Sequence, residues 1–90
     1  MYETLATIRN EQGIHCRPSA VIIKALQGYA GDITIRSESY QCNTFTMVGI
    51  MSLGLEVGTT IAIQVEGADE ESVGLQLVEL FERVFDFPPQ

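Results

Sequence analysis

The 90-residue chain has no tryptophan, one histidine, two cysteines, and only five lysine and arginine residues against twelve aspartate and glutamate residues. The resulting net charge of −7, with histidine neutral, disfavours binding to nucleic acid or to an anionic membrane surface. One histidine and two widely spaced cysteines do not supply the roughly four ligands of a structural zinc site, so we expect no metal and no cofactor. Cys16 and Cys42 are expected to be reduced thiols, because the chain shows no export signal.

Long apolar runs are also missing. The first residues have neither a basic region nor an apolar stretch of signal length, and no later segment has the length of a membrane span. These absences predict a cytoplasmic protein. An apolar content of 46% in 90 residues is enough for one core, so residues 1–90 are expected to form a single domain.

Hydrophobic periodicity and turn residues predict the order strand, helix, strand, strand, short helix, strand, helix. An antiparallel sheet covered by helices on one face would bury both the strand alternation and the helix stripes, so the predicted class is α+β. Leu5 and Ile8 are expected to anchor the first strand, and Asp69 to cap the last helix. The predicted strands are 4–8, 32–36, 40–43 and 60–66, and the predicted helices are 18–26, 47–53 and a last one from 70 to before Pro88.

The helix stripes expected to face the sheet are apolar. In the first helix they are Ala20, Val21, Ile23, Leu26 and Ala30, and in the last helix Val73, Leu77, Leu80, Phe81 and Val84. In the short helix Thr46 is the expected N-cap and Gly54 the expected left-handed C-terminal residue.

The segment 13–18 places the only histidine, His15, where a strand and turn give way to a helix. Pro18 suits a first helical turn, because its φ is preset and it lacks an N–H. Unpaired amides and the positive end of the helix dipole favour an anion there, and Arg17 adds a forked cationic donor. The pattern predicts a site for a phosphoryl group carried on His15 and bound by the backbone of Cys16 and Arg17.

Three segments carry a resemblance to a known family. They comprise Gly13, Ile14, His15, Arg17 and Pro18; Met47, Gly49, Met51, Ser52, Leu53 and Gly54; and Gly67, Ala68, Asp69 and Glu70. In register, these segments resemble the HPr family, the histidine-containing phosphocarriers of the bacterial phosphoenolpyruvate-dependent sugar phosphotransferase system. The resemblance implies an open-faced β-sandwich, with a four-stranded antiparallel sheet in the order 1-4-2-3 and three helices on one face.

The resemblance further implies that Nδ1 of His15 accepts a phosphoryl group from enzyme I and passes it to enzyme IIA-type proteins, with Arg17 steadying the phosphate. The chain would then be a monomeric carrier rather than a stand-alone catalyst. Thr46 occupies the position at which many relatives have a serine phosphorylated by a regulatory kinase, and is therefore the candidate regulatory residue. The residues expected to dock partners are Lys24, Met47, Val48 and Met51.

Two other functions are compatible with these residues. An HPr-like regulatory protein would signal by its phosphorylation state without sugar transport, and the small number of basic residues near His15 is consistent with it. A thiol-based activity would use Cys16 at the helix N-terminus beside His15, where a thiolate is stabilised. It ranks last, because no resolving cysteine lies nearby in the sequence.

Overall fold

The computed structural model describes residues 1–14, 16–38, 41–42 and 46–84, with only the backbone described at Cys16, Cys42, Met47 and Val48. The predictions that concern the structure of His15, Tyr40, Asn43 and the prolines after residue 84 lie outside these residues. The elements are β1 (Tyr2–Thr7), α1 (Cys16–Ala25), β2 (Asp32–Arg36), β3 (Gln41–Cys42), α2 (Met47–Met51), β4 (Thr60–Glu66) and α3 (Glu70–Glu82).

The strands form one antiparallel sheet in the order β1-β4-β2-β3. The predicted α+β class and antiparallel sheet are confirmed. Within the described residues β3 has only two residues, against the four predicted, so three full strands carry the sheet and β3 is a short edge. β4 runs from Thr60 to Glu66 as predicted, because its alternation of apolar and polar residues is unbroken.

Only one face of the sheet is buried. Ile61, Ile63 and Val65 of β4 are fully buried, and α3 packs against both β1 and β4 on that face. The prediction that Leu5 is an anchor is wrong: Leu5 pairs with Ala62 on the open face and is 65% exposed. The neighbouring residue Ala6 is buried instead, because a shift of one residue along a strand moves a side chain to the other face.

Helix α1 begins at Cys16, two residues before the predicted start. Pro18 is its third residue, a first-turn position at which no intrahelical N–H bond is lost. The predicted stripe is partly wrong, since Ala20 and Ala30 are exposed and Val21 and Ile23 only half-buried. The buried positions follow the three- and four-residue spacing of a helix and include a polar residue; among them are Ser19 and Ile22 in α1 and Leu26 directly after its end.

Helix α3 buries the predicted side chains except that of Val84, which is 64% exposed because the helix ends at Glu82. Asp69 is the N-cap residue of α3, as predicted, but its side chain does not form the capping bond. Asp69 has a left-handed backbone (φ 54°) and no side-chain capping bond, and only its carbonyl accepts the Val73 N–H, at 2.9 Å. Among the described residues, every helix is too short or too polar to cross a bilayer.

Candidate functional site

The segment before α1 is a tight turn closed by Asn10. The Asn10 side chain is buried, and its Nδ2 donates a hydrogen bond to the Gly13 carbonyl at 2.7 Å. The Gly13 N–H in turn donates to the Asn10 carbonyl at 2.8 Å. Side chain and main chain therefore close the same turn.

Gly13 allows this turn to lie directly against the segment that precedes β4. Its φ of 72° is in the left-handed region, and a Cβ at this position would overlap the carbonyl oxygen of Leu55. The next residue, Ile14, donates its N–H to that same oxygen at 2.9 Å and has a buried side chain. Any side chain at residue 13 would push this contact apart.

Two further hydrogen bonds attach the end of β1 to the same segment. Ile8 donates to the Thr59 carbonyl and accepts from the Gly58 N–H, both at 2.8 Å. The chain is thus held to residues 55–59 shortly before and shortly after the turn. The backbone up to Ile14 is fixed by contacts that are distant in sequence.

Helix α1 begins one residue after His15, which itself lies outside the described residues. Its first turn contains the predicted anion-binding residues Cys16 and Arg17 and no acidic side chain, and Arg17 is half-buried. The first-turn amides and the helix dipole favour an anion at this end. Lys24 lies seven residues after Arg17, on the same side of the helix and about 10 Å further along its axis, where its charge complements the dipole.

Helix α2 packs beside α1. The predicted cap is confirmed, since Oγ1 of Thr46 accepts the Gly49 N–H at 3.1 Å, and Gly54 has the expected left-handed φ of 61°. Ile50 is fully buried, whereas Met51 is 40% exposed at the helix end. The side chains of Met47 and Val48 lie outside the described residues, so α2 contributes Met51 to the described surface beside α1.

Sequence reasoning missed two buried polar residues near the site. The burial of Asn10 was not predicted, although an asparagine three residues before a glycine can close a turn with its side chain. Ser19, the fourth residue of α1, is fully buried, and its hydroxyl has no hydrogen-bond partner among the described residues. No signal in the sequence distinguishes Ser19 from an exposed helical serine.

The described part of the chain contains no group of three histidine, cysteine or carboxylate side chains that could hold a metal ion. Three carboxylates lie instead near Tyr29, beyond the other end of α1. There Asp32, Asp69 and Glu70 lie close enough to Tyr29 to raise the pKa of its phenol, although burial of the phenol is the largest cause of that increase.

The geometry can be compared with known proteins. The family model described as the phosphorylation site of the HPr component of the phosphotransferase system matches residues 2–83. The chain belongs to the HPr family. Its general role as a phosphocarrier of the phosphotransferase system follows from that membership.

Individual relatives cover nearly the whole chain. The phosphocarrier protein HPr of Vibrio cholerae serotype O1 is 31% identical over 93% of this chain and 99% of its own, and that of Xylella fastidiosa strain Temecula1 is 29% identical over 96% and 97%. The crystal structure of HPr-C-His from Thermoanaerobacter tengcongensis superposes with a TM-score of 0.81 at 32% identity, covering 90% of this chain and 91% of that one. The fold of the HPr family is therefore shared along the chain.

Proposed function

We propose that this chain accepts a phosphoryl group on Nδ1 of His15 from enzyme I and passes it to sugar-specific enzyme II components. The observation that carries the proposal is the fixed backbone on either side of that residue. The Ile14 N–H is bonded to the Leu55 carbonyl, and α1 begins at Cys16. Such a backbone suits a carrier, because two partners in turn must find the same acceptor atom.

The imidazole supplies the nucleophile. A neutral imidazole keeps a lone pair on one ring nitrogen. That lone pair forms the N–P bond while the bond from phosphorus to the donor breaks, and the donor leaves with the electron pair. Transfer to the next acceptor repeats the exchange with the imidazole as leaving group.

The start of α1 stabilises the transferred group. The backbone amides of Cys16 and Arg17 and the Arg17 guanidinium are the proposed ligands of the phosphoryl oxygens. The first turn of the helix carries no acidic side chain that would repel them. Stabilisation by amides and one guanidinium leaves the group exchangeable, as a carrier requires.

The proposed docking surface consists of Lys24 on α1 together with Met47, Val48 and Met51 on α2. Helices α1 and α2 are neighbours. The Met51 side chain is 40% exposed, whereas most core residues of the fold are fully buried. Methionine adapts its shape to different partners, which suits a surface used by both donor and acceptor proteins.

The substitution Met51→Ala tests this surface. We expect the KM for phosphorylation by enzyme I to rise roughly fivefold, which corresponds to about 1 kcal/mol of lost contact, with little change in stability. Leu75→Ala is the matched control, because Leu75 is a similarly exposed apolar residue (54%) on a different helix, α3. Equal KM values for the two variants would remove Met51 from the docking surface.

Thr46 is the proposed regulatory residue. It is exposed, and its Oγ1 caps α2 beside the docking surface. A phosphate on that oxygen would place a double negative charge next to the residues that bind enzyme I and slow the transfer. Incubation with an ATP-dependent HPr kinase should label the wild-type chain and leave Thr46→Val unlabelled; an unlabelled wild type would show that this regulation is absent.

The alternative is a regulatory protein that signals by its phosphorylation state without sugar transport. The five lysine and arginine residues in the whole chain favour it, because they provide little electrostatic steering toward acidic transport partners. The two functions differ in the acceptor. Rapid transfer from the phosphorylated chain to a purified enzyme IIA supports the carrier, whereas a stable phosphorylated chain that binds a regulator supports the alternative.

The acceptor role is tested with phosphoenolpyruvate and enzyme I. Intact mass should increase by one phosphate, and the group should be lost on mild acid treatment, as expected of a phosphoramidate. His15→Ala should remain unmodified, and Thr46→Val should be modified like wild type. An acid-stable phosphate, or modification that survives in His15→Ala, would overturn the proposal.

A further inference from the structure

Asn10 is one of two buried polar residues in the described part of the chain, and only 5% of its surface is exposed. Burying an amide is costly unless its hydrogen bonds are made. The turn it occupies is neither part of the sheet nor part of a helix. A buried amide in such a segment indicates that a defined turn conformation is required there.

The hydrogen bond of Asn10 is directed at one peptide group. Its Nδ2 donates to the Gly13 carbonyl oxygen at 2.7 Å. The N–H of that same peptide group belongs to Ile14 and donates to the Leu55 carbonyl at 2.9 Å. One peptide plane is therefore held at both of its polar ends.

A peptide group is planar, so fixing its oxygen and its N–H fixes the orientation of the whole plane. Without the Asn10 donor, the plane between Gly13 and Ile14 would keep only one polar contact. Gly13 would then add freedom, because glycine tolerates a wide range of φ and ψ. The direction in which the chain leaves Ile14 depends on this plane.

The next peptide joins Ile14 to His15, and α1 begins one residue later. We propose that Asn10 is a positioning residue for phosphoryl transfer at His15, acting through the Gly13–Ile14 peptide. The inference rests on the proposed function. In this role Asn10 fixes the backbone from which the acceptor side chain extends, where misplacement by about 1 Å can slow a reaction as much as 100-fold.

The test compares Asn10→Asp, Asn10→Ala and Val73→Ala. Aspartate keeps the size and the acceptor oxygen of asparagine but, ionised, has no N–H to donate to Gly13. Val73 is 8% exposed on α3, so its truncation destabilises the fold by a cavity away from the turn. The measurements are kcat and KM for phosphorylation by enzyme I, taken where urea titration shows each variant folded, and hydrogen exchange of the Ile14 amide.

We expect both Asn10 variants to lower kcat about tenfold with KM within twofold, and to speed exchange at Ile14. Val73→Ala should lower the urea midpoint while keeping the wild-type kcat. Asn10 variants that are folded and keep the wild-type kcat would overturn the positioning role. So would a Val73→Ala variant whose kcat falls together with its stability, as in the Asn10 variants. A wild-type chain that enzyme I does not phosphorylate would overturn the proposed function itself, whereas the positioning role alone fails if wild type and Asn10 variants react equally.

Discussion

The segments before and after α1 are fixed in similar ways and differ in charge. Before the helix, the Asn10 side chain donates to the Gly13 carbonyl at 2.7 Å. Four residues after the helix ends at Ala25, the Tyr29 hydroxyl donates to the Ala68 carbonyl at 2.8 Å, close to the start of α3. Each segment is thus held by one side chain that donates to a backbone carbonyl.

The surroundings of the two hydrogen bonds are opposite. The first turn of α1 carries no acidic residue, whereas Asp32, Asp69 and Glu70 surround Tyr29, and Glu70 also lies 3.0 Å from the Met1 ammonium. A helix N-terminus free of carboxylates favours an anion, whereas the carboxylates around Tyr29 repel one. Rigidity alone therefore does not distinguish the two segments; their charge favours an anion only at the start of α1.

The largest effect is expected from Gly13→Ala. The new Cβ would combine a left-handed backbone with overlap on the Leu55 carbonyl, so we expect a loss of about 3 kcal/mol in the free energy of unfolding. Urea denaturation measures it. The N-terminal end of α1 should be disrupted while the Tyr29 end keeps its hydrogen bond.

Gly58→Ala is the control for backbone strain. Its φ of 88° is similarly left-handed, but a Cβ there meets no atom within 4 Å, so only about 1 to 2 kcal/mol should be lost. Equal losses in the two variants would mean that the contact between residue 13 and Leu55 contributes nothing.

A smaller effect, of opposite sign, is expected from Ser19→Ala. The Ser19 hydroxyl is buried without a partner among the described residues, so its removal should raise the free energy of unfolding by about 1 kcal/mol. Ser72→Ala, at an exposed position of α3, should change it by less than about 0.5 kcal/mol, because only helix propensity changes. A loss of stability in Ser19→Ala would show that the hydroxyl is bonded in solution.

The smallest effect is expected at the Tyr29 end and depends on pH. Burial and the nearby carboxylates raise the pKa of Tyr29 above its ordinary value of about 10. Its contribution to stability is then complete below pH 10 and is lost as pH rises through the folded-state pKa, because the phenolate cannot donate to Ala68. Tyr29→Phe should remove this part of the alkaline decrease in melting temperature; an identical pH profile in both proteins would contradict the assignment.

Sequence patterns predicted those parts of the molecule that local periodicity determines. The alternation in β4 and the Thr46 cap of α2 were both correct, because each depends on residues a few positions apart. The prediction for Leu5 was wrong because the face on which its side chain lies depends on pairing with Ala62, 57 positions away in sequence. Ser19 and Asn10 were missed for the same reason: their burial is determined by packing partners that no local pattern specifies.

The candidate site likewise has features that local sequence predicts and features that depend on distant contacts. The anion-favouring helix start was predicted from Arg17 and Pro18, and α1 indeed begins at Cys16 without acidic neighbours in its first turn. The clamp on the Gly13–Ile14 peptide was not predicted, because it requires the Leu55 carbonyl, about 40 residues later, to meet Ile14. Local chemistry indicates the charge that the start of α1 favours, and tertiary contacts determine the orientation of the Gly13–Ile14 peptide before it.

The most direct test of the central claim is a comparison of backbone amide ¹H–¹⁵N spectra before and after phosphorylation by enzyme I. The first turn of α1 carries no carboxylate, whereas three carboxylates surround Tyr29. We therefore expect the largest shift changes at Ile14, Cys16 and Arg17, and none at Tyr29, Asp32 or Glu70. Comparable changes at the Tyr29 end, or unchanged amides at Cys16 and Arg17 in a fully phosphorylated sample, would contradict it.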